Sequence, residues 1–167
     1  LPEGLSFREA AMVEPVSIAV HAATLPPLRL GACAVVVGVG MIGLLIVQVL
    51  RNAGCGKIIA VDLDQGKLDL ARRFGATHCF SAEQADLGPS VRALTSGLGA
   101  DVVFEAVGIS PTVQTAVELV RKGGSVVLVG NLAPQVDLPL QSVVTRQVAL
   151  FGSCASNGEY PICLDLI

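Results

Sequence analysis

Val35-Val36-Val37-Gly38-Val39-Gly40-Met41-Ile42-Gly43 decides the fold of this chain. A β-branched triplet, the residue type that packs well in a fully buried strand, runs into a glycine-spaced turn and then into an apolar helical pattern from Gly40 to Ala53. A GxGxxG hexamer alone is weak, because glycine-rich hexamers are common by chance. The strand before it, the helix after it, and Asp62 at the end of the next apolar run, close to an offset of ~20 residues, make this one specific. Gly38 permits the tight turn off the strand, Gly40 lets the backbone come close to a ligand, and Gly43 lets the helix lie close on the sheet. The helix start at Gly40, Met41 and Ile42 offers unpaired N–H groups and a positive dipole end, which suit a pyrophosphate. Asp62 can accept from both hydroxyls of an adenosine ribose, whereas a 2′-phosphate would set roughly −1.5 to −2 more charge against it. NAD is therefore expected in preference to NADP. Lys67, one turn into the next helix, can lean over the adenosine or partner a phosphate, and Asp64 reads as a helix N-cap without a cofactor role.

Outward from this stretch, apolar β-rich runs alternate with helical patterns, the signature of βαβ units. Strands are expected at 34–37, 57–61, 78–80, 101–105, 125–129 and 148–152, and helices at 40–53, 64–74, 88–96 and 111–121. Several of these helices run into glycine: Ala53-Gly54, Phe74-Gly75 and Lys122-Gly123-Gly124. Ahead of the first strand, Ser6 to Ala23 reads as two helical pieces broken at Pro15, followed by an extended connector from Thr24 to Pro27. The expected fold class is α/β, a doubly wound Rossmann arrangement: one mostly parallel six-stranded sheet with helices on both faces.

Composition fits that reading and excludes others. The 167 residues suit one domain, and 52% hydrophobic with 15% charged residues excludes disorder. Eleven basic against fourteen acidic residues, with no Lys/Arg cluster, argue against nucleic acid as a partner. Leu30 to Leu50 carries no charge, but glycines at 31, 38, 40 and 43 divide it into a strand and a helix rather than a membrane span. Glu3, Arg8, Glu9 and Glu14 interrupt any signal-peptide pattern, so a cytoplasmic location is expected. The five cysteines are scattered, without a CxxC pair, and are expected to be reduced and structural. Neither His21 nor His78 has a metal-spaced partner. Leu1 and the apolar run from Ile162 to Ile167 read as cuts in a longer chain.

Several motifs in order resemble the coenzyme domain of medium-chain, zinc-dependent alcohol and polyol dehydrogenases, nearest the sorbitol and threonine dehydrogenase branch. The resemblance rests on Leu1-Pro2-Glu3-Gly4 with Glu9-Ala10-Ala11, Glu14-Pro15-Val16-Ser17 with His21-Ala22, and Gly38 to Gly43. It continues through Gly99 to Gly108 and through Gly123-Gly124 into Val129-Gly130. It implies one NAD-binding domain over 1–167, part of a larger enzyme, with leading helices and connector at 1–27, a core at 28–153, and the start of a return to a catalytic domain at 154–167. That catalytic domain, with zinc-binding Cys and His, would lie upstream. The resemblance makes Glu14 a zinc ligand of the intact protein; one carboxylate does not hold zinc by itself, so this stretch is expected to be metal-free, and no catalytic residue is assigned within it. It also places the backbone around Val107, around Val129, Gly130 and Asn131, and at Phe151 against the nicotinamide.

The implied reaction is hydride transfer between a small-molecule alcohol, secondary or polyol-like, and NAD, with zinc polarising the alcohol oxygen. Gly152 and Ser153 stand where the polyol enzymes commonly carry an arginine, which argues against a polyol substrate. Gln147 to Gly152 is a candidate pairing edge in a homo-oligomer. Two other readings stay open: a zinc-free, quinone-reductase-like enzyme using NADPH, against which Asp62 counts, and a non-catalytic module that senses NAD and signals to a partner. A methyltransferase fits less well, because its glycine loop and acid would be spaced differently.

Overall fold

The computed structural model describes residues 2–167; Leu1, the first residue of the leading motif, lies outside the described residues. Six strands form one all-parallel sheet in the order β3-β2-β1-β4-β5-β6. They are β1 (Cys33–Val37), β2 (Lys57–Asp62), β3 (His78–Ser81), β4 (Ala100–Glu105), β5 (Val120–Leu128) and β6 (Ala149–Gly152). Among the described residues eight helices accompany them: α1 (Phe7–Ala10), α2 (Val13–Thr24), α3 (Met41–Asn52), α4 (Gln65–Arg73), α5 (Leu87–Leu94), α6 (Ser110–Leu119), α7 (Leu140–Thr145) and α8 (Tyr160–Leu166).

Successive side chains of a strand point to opposite faces, so β1 divides its apolar run between two cores. Ala34 and Val36 join Phe104, Ile46, Val47 and Leu50 on the face covered by α2, α3 and α4. Cys33, Val35 and Val37 join Val91, Ala116, Val117 and Val143 on the face covered by α5, α6 and α7. β1 is covered on both sides, and all five of its positions are buried and apolar.

Several boundaries differ from the sequence reading. The break in the leading helices falls at Ala11–Met12, and α2 runs through Pro15. Pro15 is the third residue of α2, where a backbone N–H has no intrahelical acceptor to lose. Ser6 and Glu9 form a reciprocal capping box that fixes the start of α1. Thr24 belongs to α2 rather than to the connector. The helix expected at 111–121 stops at Leu119, and Val120 already has extended backbone and pairs with Ala100. Lys122-Gly123-Gly124 is therefore no helix cap; it is the irregular part of β5, where the register slips between Ala100 and Val102. Arg146 holds this junction, donating to the Val117 carbonyl at 2.7 Å and to the Val120 carbonyl, while its own carbonyl accepts from Gly123 at 2.8 Å. The short helices α7 and α8 had no clear sequence signal. The second packs Cys163 against Val13 and Val20 of α2, and His21 pairs with Glu159 at 2.7 Å beside it.

Among the described residues, no helix is long and apolar enough to cross a membrane. All five cysteines are free. Cys33, Cys55 and Cys163 are buried, Cys79 is partly covered and Cys154 is exposed. Burial, reinforced by the nearby Asp101 charge, pushes the Cys33 thiol up to about 11, and burial likewise raises Cys55, Cys79 and Cys163. Thiolate, not thiol, attacks an alkylating or disulfide reagent. One thiol per native chain, Cys154, is therefore expected to react quickly at mildly alkaline pH, with all five reacting after denaturation. Rapid labelling of Cys33 in the native state would contradict this packing.

Candidate dinucleotide-binding site

The strand order makes β1 the point at which the chain changes direction: it goes on through α3 to β2 on one side, and β4 pairs on the other. The loops leaving the carboxyl ends of β1 and β4 therefore part there, opening the crevice in which ligands of doubly wound sheets sit. Gly38 lies at the end of β1 with φ +87°, and its N–H donates to the Val61 carbonyl at 2.8 Å. A Cβ on Gly38 would come within 2.3 Å of Val107 Cγ2. Gly43 is tighter still, because a Cβ there would lie 2.0 Å from the Gly38 carbonyl oxygen. Gly40 differs from both: it is the N-cap of α3, and a Cβ on it would meet no protein atom within 4 Å. Two glycines thus serve the chain's own packing, while the third faces open space in front of a helix start.

That start has no side-chain cap. Met41, 61% exposed, and the half-buried Ile42 begin α3, and their N–H groups have no partner within the helix. Asp62 ends β2 beside them. Its Oδ2 accepts from the Val39 N–H at 2.8 Å and its Oδ1 from the Asp64 N–H at 3.0 Å. The carboxylate therefore braces the middle of the glycine turn, a role the sequence reading did not assign. Two oxygens offer about four acceptor directions, so lone pairs remain for a ribose diol. Lys67 Nζ stands 3.9 Å from Asp62 Oδ1 and is half exposed. Asp64 caps α4 as expected, its side chain accepting from the Lys67 N–H at 3.2 Å.

The other residues expected at the site sit on the same carboxyl edge. Val107 follows β4, Val129 to Asn131 follow β5, and Phe151 lies near the end of β6. Leu132 N–H reaches the Val107 carbonyl at 3.4 Å and Ala133 N–H the Gly108 carbonyl at 2.8 Å, so the loops after β4 and β5 are laced together. The residue that sequence reasoning passed over is Glu105, buried at the end of β4. Its only sequence signal is a charge closing an otherwise apolar run, Val102-Val103-Phe104-Glu105.

Glu14 is an exposed residue in the first turn of α2. Among the described residues, no group of three or more His, Cys, Asp or Glu side chains is placed to hold a metal ion. Glu14 fits a metal only as one member of a donor set completed from elsewhere. A hollow of about 330 Å³ at the opposite end of the sheet is lined by Arg29, Asp101 and Arg121 among others. Asp101 and Arg121 are already paired there, since Asp101 accepts from Arg121 Nε and from the Cys33 N–H, each at 2.8 Å. Burial raises the Asp101 carboxyl, but these bonds and the charges of Arg121 and Arg29 outweigh it and hold the group below the usual carboxylate range. That hollow has no part in the dinucleotide geometry.

Comparison with known proteins gives the family and the fold. Residues 38–167 match the family described as zinc-binding dehydrogenase. Over its whole length the chain is 36% identical to a D-xylulose reductase of Saccharomyces cerevisiae and 32% identical to a sorbitol dehydrogenase of Bacillus subtilis, covering 48% of each. The chain thus spans about half the length of these curated relatives. It superimposes on a crystal structure described as a zinc-binding dehydrogenase from Sinorhizobium meliloti 1021 bound to NADP, with a TM-score of 0.91 and 28% identity, over 99% of this chain and 50% of that one.

Proposed function

Because the chain belongs to the zinc-binding dehydrogenase family, we propose that it is the NAD(H)-binding domain of an enzyme that moves hydride between a small alcohol, secondary or polyol-like, and the nicotinamide ring. The observation that carries this reading is the juxtaposition at the β1–β4 crevice: an uncapped helix start behind an unobstructed Gly40, with Asp62 at the next strand end. When bound, the dinucleotide supplies the hydride acceptor or donor and zinc the polarisation of the alcohol oxygen.

The chain's own residues bind and orient. The N–H groups of Met41 and Ile42 and the positive end of α3 face the pyrophosphate, and Asp62 accepts from the ribose hydroxyls. The backbone of Val107, of Val129, Gly130 and Asn131, and of Phe151 sets the height and angle of the nicotinamide. Glu14 joins zinc ligands from the rest of the protein. The edge strand β6, which pairs only with β5, is the surface through which two copies would associate. Five free, scattered thiols suit a reducing, cytoplasmic location.

The NADP bound to the Sinorhizobium protein, together with Lys67 beside Asp62, supports a second reading in which NADP is also accepted. Titration with NADH and with NADPH, followed by nicotinamide fluorescence, separates the two. Saturable NADH binding with much weaker NADPH binding is expected. Asp62→Ala removes both the ribose acceptor and the brace on Val39, and hydrogen bonds to a charged group are each worth about 1.5–3 kcal/mol, so NADH affinity should fall roughly 10- to 100-fold. An Asp62→Ala protein that binds NADH as the unsubstituted one does would end this assignment.

A further inference from the structure

Glu105 is the only charged residue among the described residues that is fully buried, with 0% of its surface exposed. Taking a carboxyl group out of water is costly unless its oxygens are matched by donors, so a buried one needs a structural reason. Its Oε1 accepts from the N–H of Val107 at 2.9 Å and of Gly108 at 2.8 Å. Its main-chain carbonyl accepts from the N–H of Val129 at 2.8 Å and of Gly130 at 3.0 Å. One residue therefore grips the first peptide groups of both loops that leave the sheet here. The two loops touch backbone to backbone: a Cβ on Gly108 would lie 2.3 Å from Asn131 N, and a Cβ on Gly130 would lie 2.2 Å from the Val107 carbonyl carbon. With no side chains between them, backbone contact and hydrogen bonds set their spacing. Among the described residues Glu105 Oε2 has no partner, so the donors this carboxylate has there are those of the Val107–Gly108 turn.

We infer that Glu105 is a positioning residue for the nicotinamide half of the dinucleotide: through Oε1 and its carbonyl it fixes the Val107–Gly108 turn against Val129–Asn131, without touching the cofactor itself. The inference rests on the dinucleotide reading above and adds to it the group that sets the ring's seat. The adenosine half, held at Gly40 and Asp62 across β1, does not depend on it.

The test compares NADH with ADP-ribose, which keeps the adenosine and pyrophosphate but lacks the nicotinamide, in calorimetric titrations of the protein and its Glu105→Ala and Glu105→Gln variants. Glu105→Ala frees two N–H groups, and NADH affinity is expected to fall about tenfold or more while ADP-ribose affinity stays within about twofold. Glu105→Gln retains one carbonyl oxygen for the same two N–H groups and should restore most of the NADH affinity. Parallel loss of both ligands would show a merely structural role and overturn the inference, as would unchanged NADH binding in Glu105→Ala. If Glu105→Ala does not fold, the NADH to ADP-ribose ratio in Glu105→Gln and Glu105→Asp decides: Asp, one methylene short of the turn, should lower the ratio, and Gln should not. Failure of the unsubstituted protein to bind either ligand would instead bring down the dinucleotide reading, and this inference with it.

Discussion

Gly43→Ala is expected to cost the protein both its nucleotide site and much of its stability. The new Cβ would lie 2.0 Å from the Gly38 carbonyl oxygen and 3.0 Å from its carbon, against an ordinary contact distance of about 3.5 Å. Neither side can give way cheaply. Gly38 is tied to β2 by its bond to Val61, and it stands at φ +87° in a turn whose next N–H is held by Asp62. On the other side, Ile46, Val47 and Leu50 lock α3 into the core. The start of α3 must move away from the sheet by an ångström or more, and overpacking of this kind costs about 1–3 kcal/mol. For a chain of this size each kcal/mol is worth roughly 2–4 °C in Tm. The binding loss should be larger than the stability loss, because the displaced N–H groups of Met41 and Ile42 are those proposed to face the pyrophosphate: NADH affinity is expected to drop by about 100-fold or more. Thermal unfolding and fluorescence titration read the two effects separately. Gly40→Ala is the matching control. Its Cβ meets no protein atom, so Tm should hold, and affinity falls only if a ligand fills that space. Full NADH affinity in Gly43→Ala would show that the helix start is not the anion site.

The contrast between these glycines explains what could and could not be read from the chain. The sheet was legible because a strand buried on both faces must be apolar through its middle, as β1 is at every position, β2 from Ile58 to Val61 and β4 from Val102 to Phe104. The glycine turn was legible because backbone proximity leaves a residue-type signature. Position-specific roles were not. Pro15 was read as a break because proline disfavours helix at the preceding residue, yet it lies in a first turn where no acceptor is lost, and the sequence does not show where that turn begins. Val120 and Arg121 look helical in isolation; pairing with Ala100 and the reach of Arg146 from 26 residues away draw them into β5. Tertiary contacts of that kind have no local signal. The same holds at the site. Asp62 was visible by its offset from the turn, but its brace on Val39 was not, and Glu105 was visible only as a charge at the end of an apolar strand. Glu14 lies on an exposed helix turn, and among the described residues no group of three metal-ligating side chains gathers there.

Phe104→Ala should separate stability from binding in the opposite sense. Phe104 is the largest of the fully buried side chains and sits in the middle of the sheet, its strand neighbours being Val36 on β1 and Val127 on β5. It belongs to the cluster that joins the sheet to α2, α3 and α4. Close-packed interiors collapse only partly around a deleted ring, so the loss combines the transfer of the side chain with the cavity left behind, about 3–5 kcal/mol. Against a total of about 5–15 kcal/mol for a native domain, that is a large share, and a Tm lower by roughly 6–20 °C is expected. The groups proposed to meet the nucleotide are backbone atoms at the carboxyl edge and the carboxylate of Asp62, all held by the parallel ladder. Alanine keeps every hydrogen bond of that ladder, and Glu105, the next residue, points to the opposite face. NADH affinity should therefore remain within about threefold. Because NADH would bind only the folded chain, a concentration 100 times its Kd should return about 2.7 kcal/mol of the loss, visible as a rise in Tm. Denaturant unfolding with and without NADH measures both quantities in one experiment. A loss of under about 1 kcal/mol would mean that the site relaxes around the missing ring; a loss of affinity in step with stability would mean that the crevice and the α2–α3–α4 core are one cooperative unit rather than a scaffold and the site it carries.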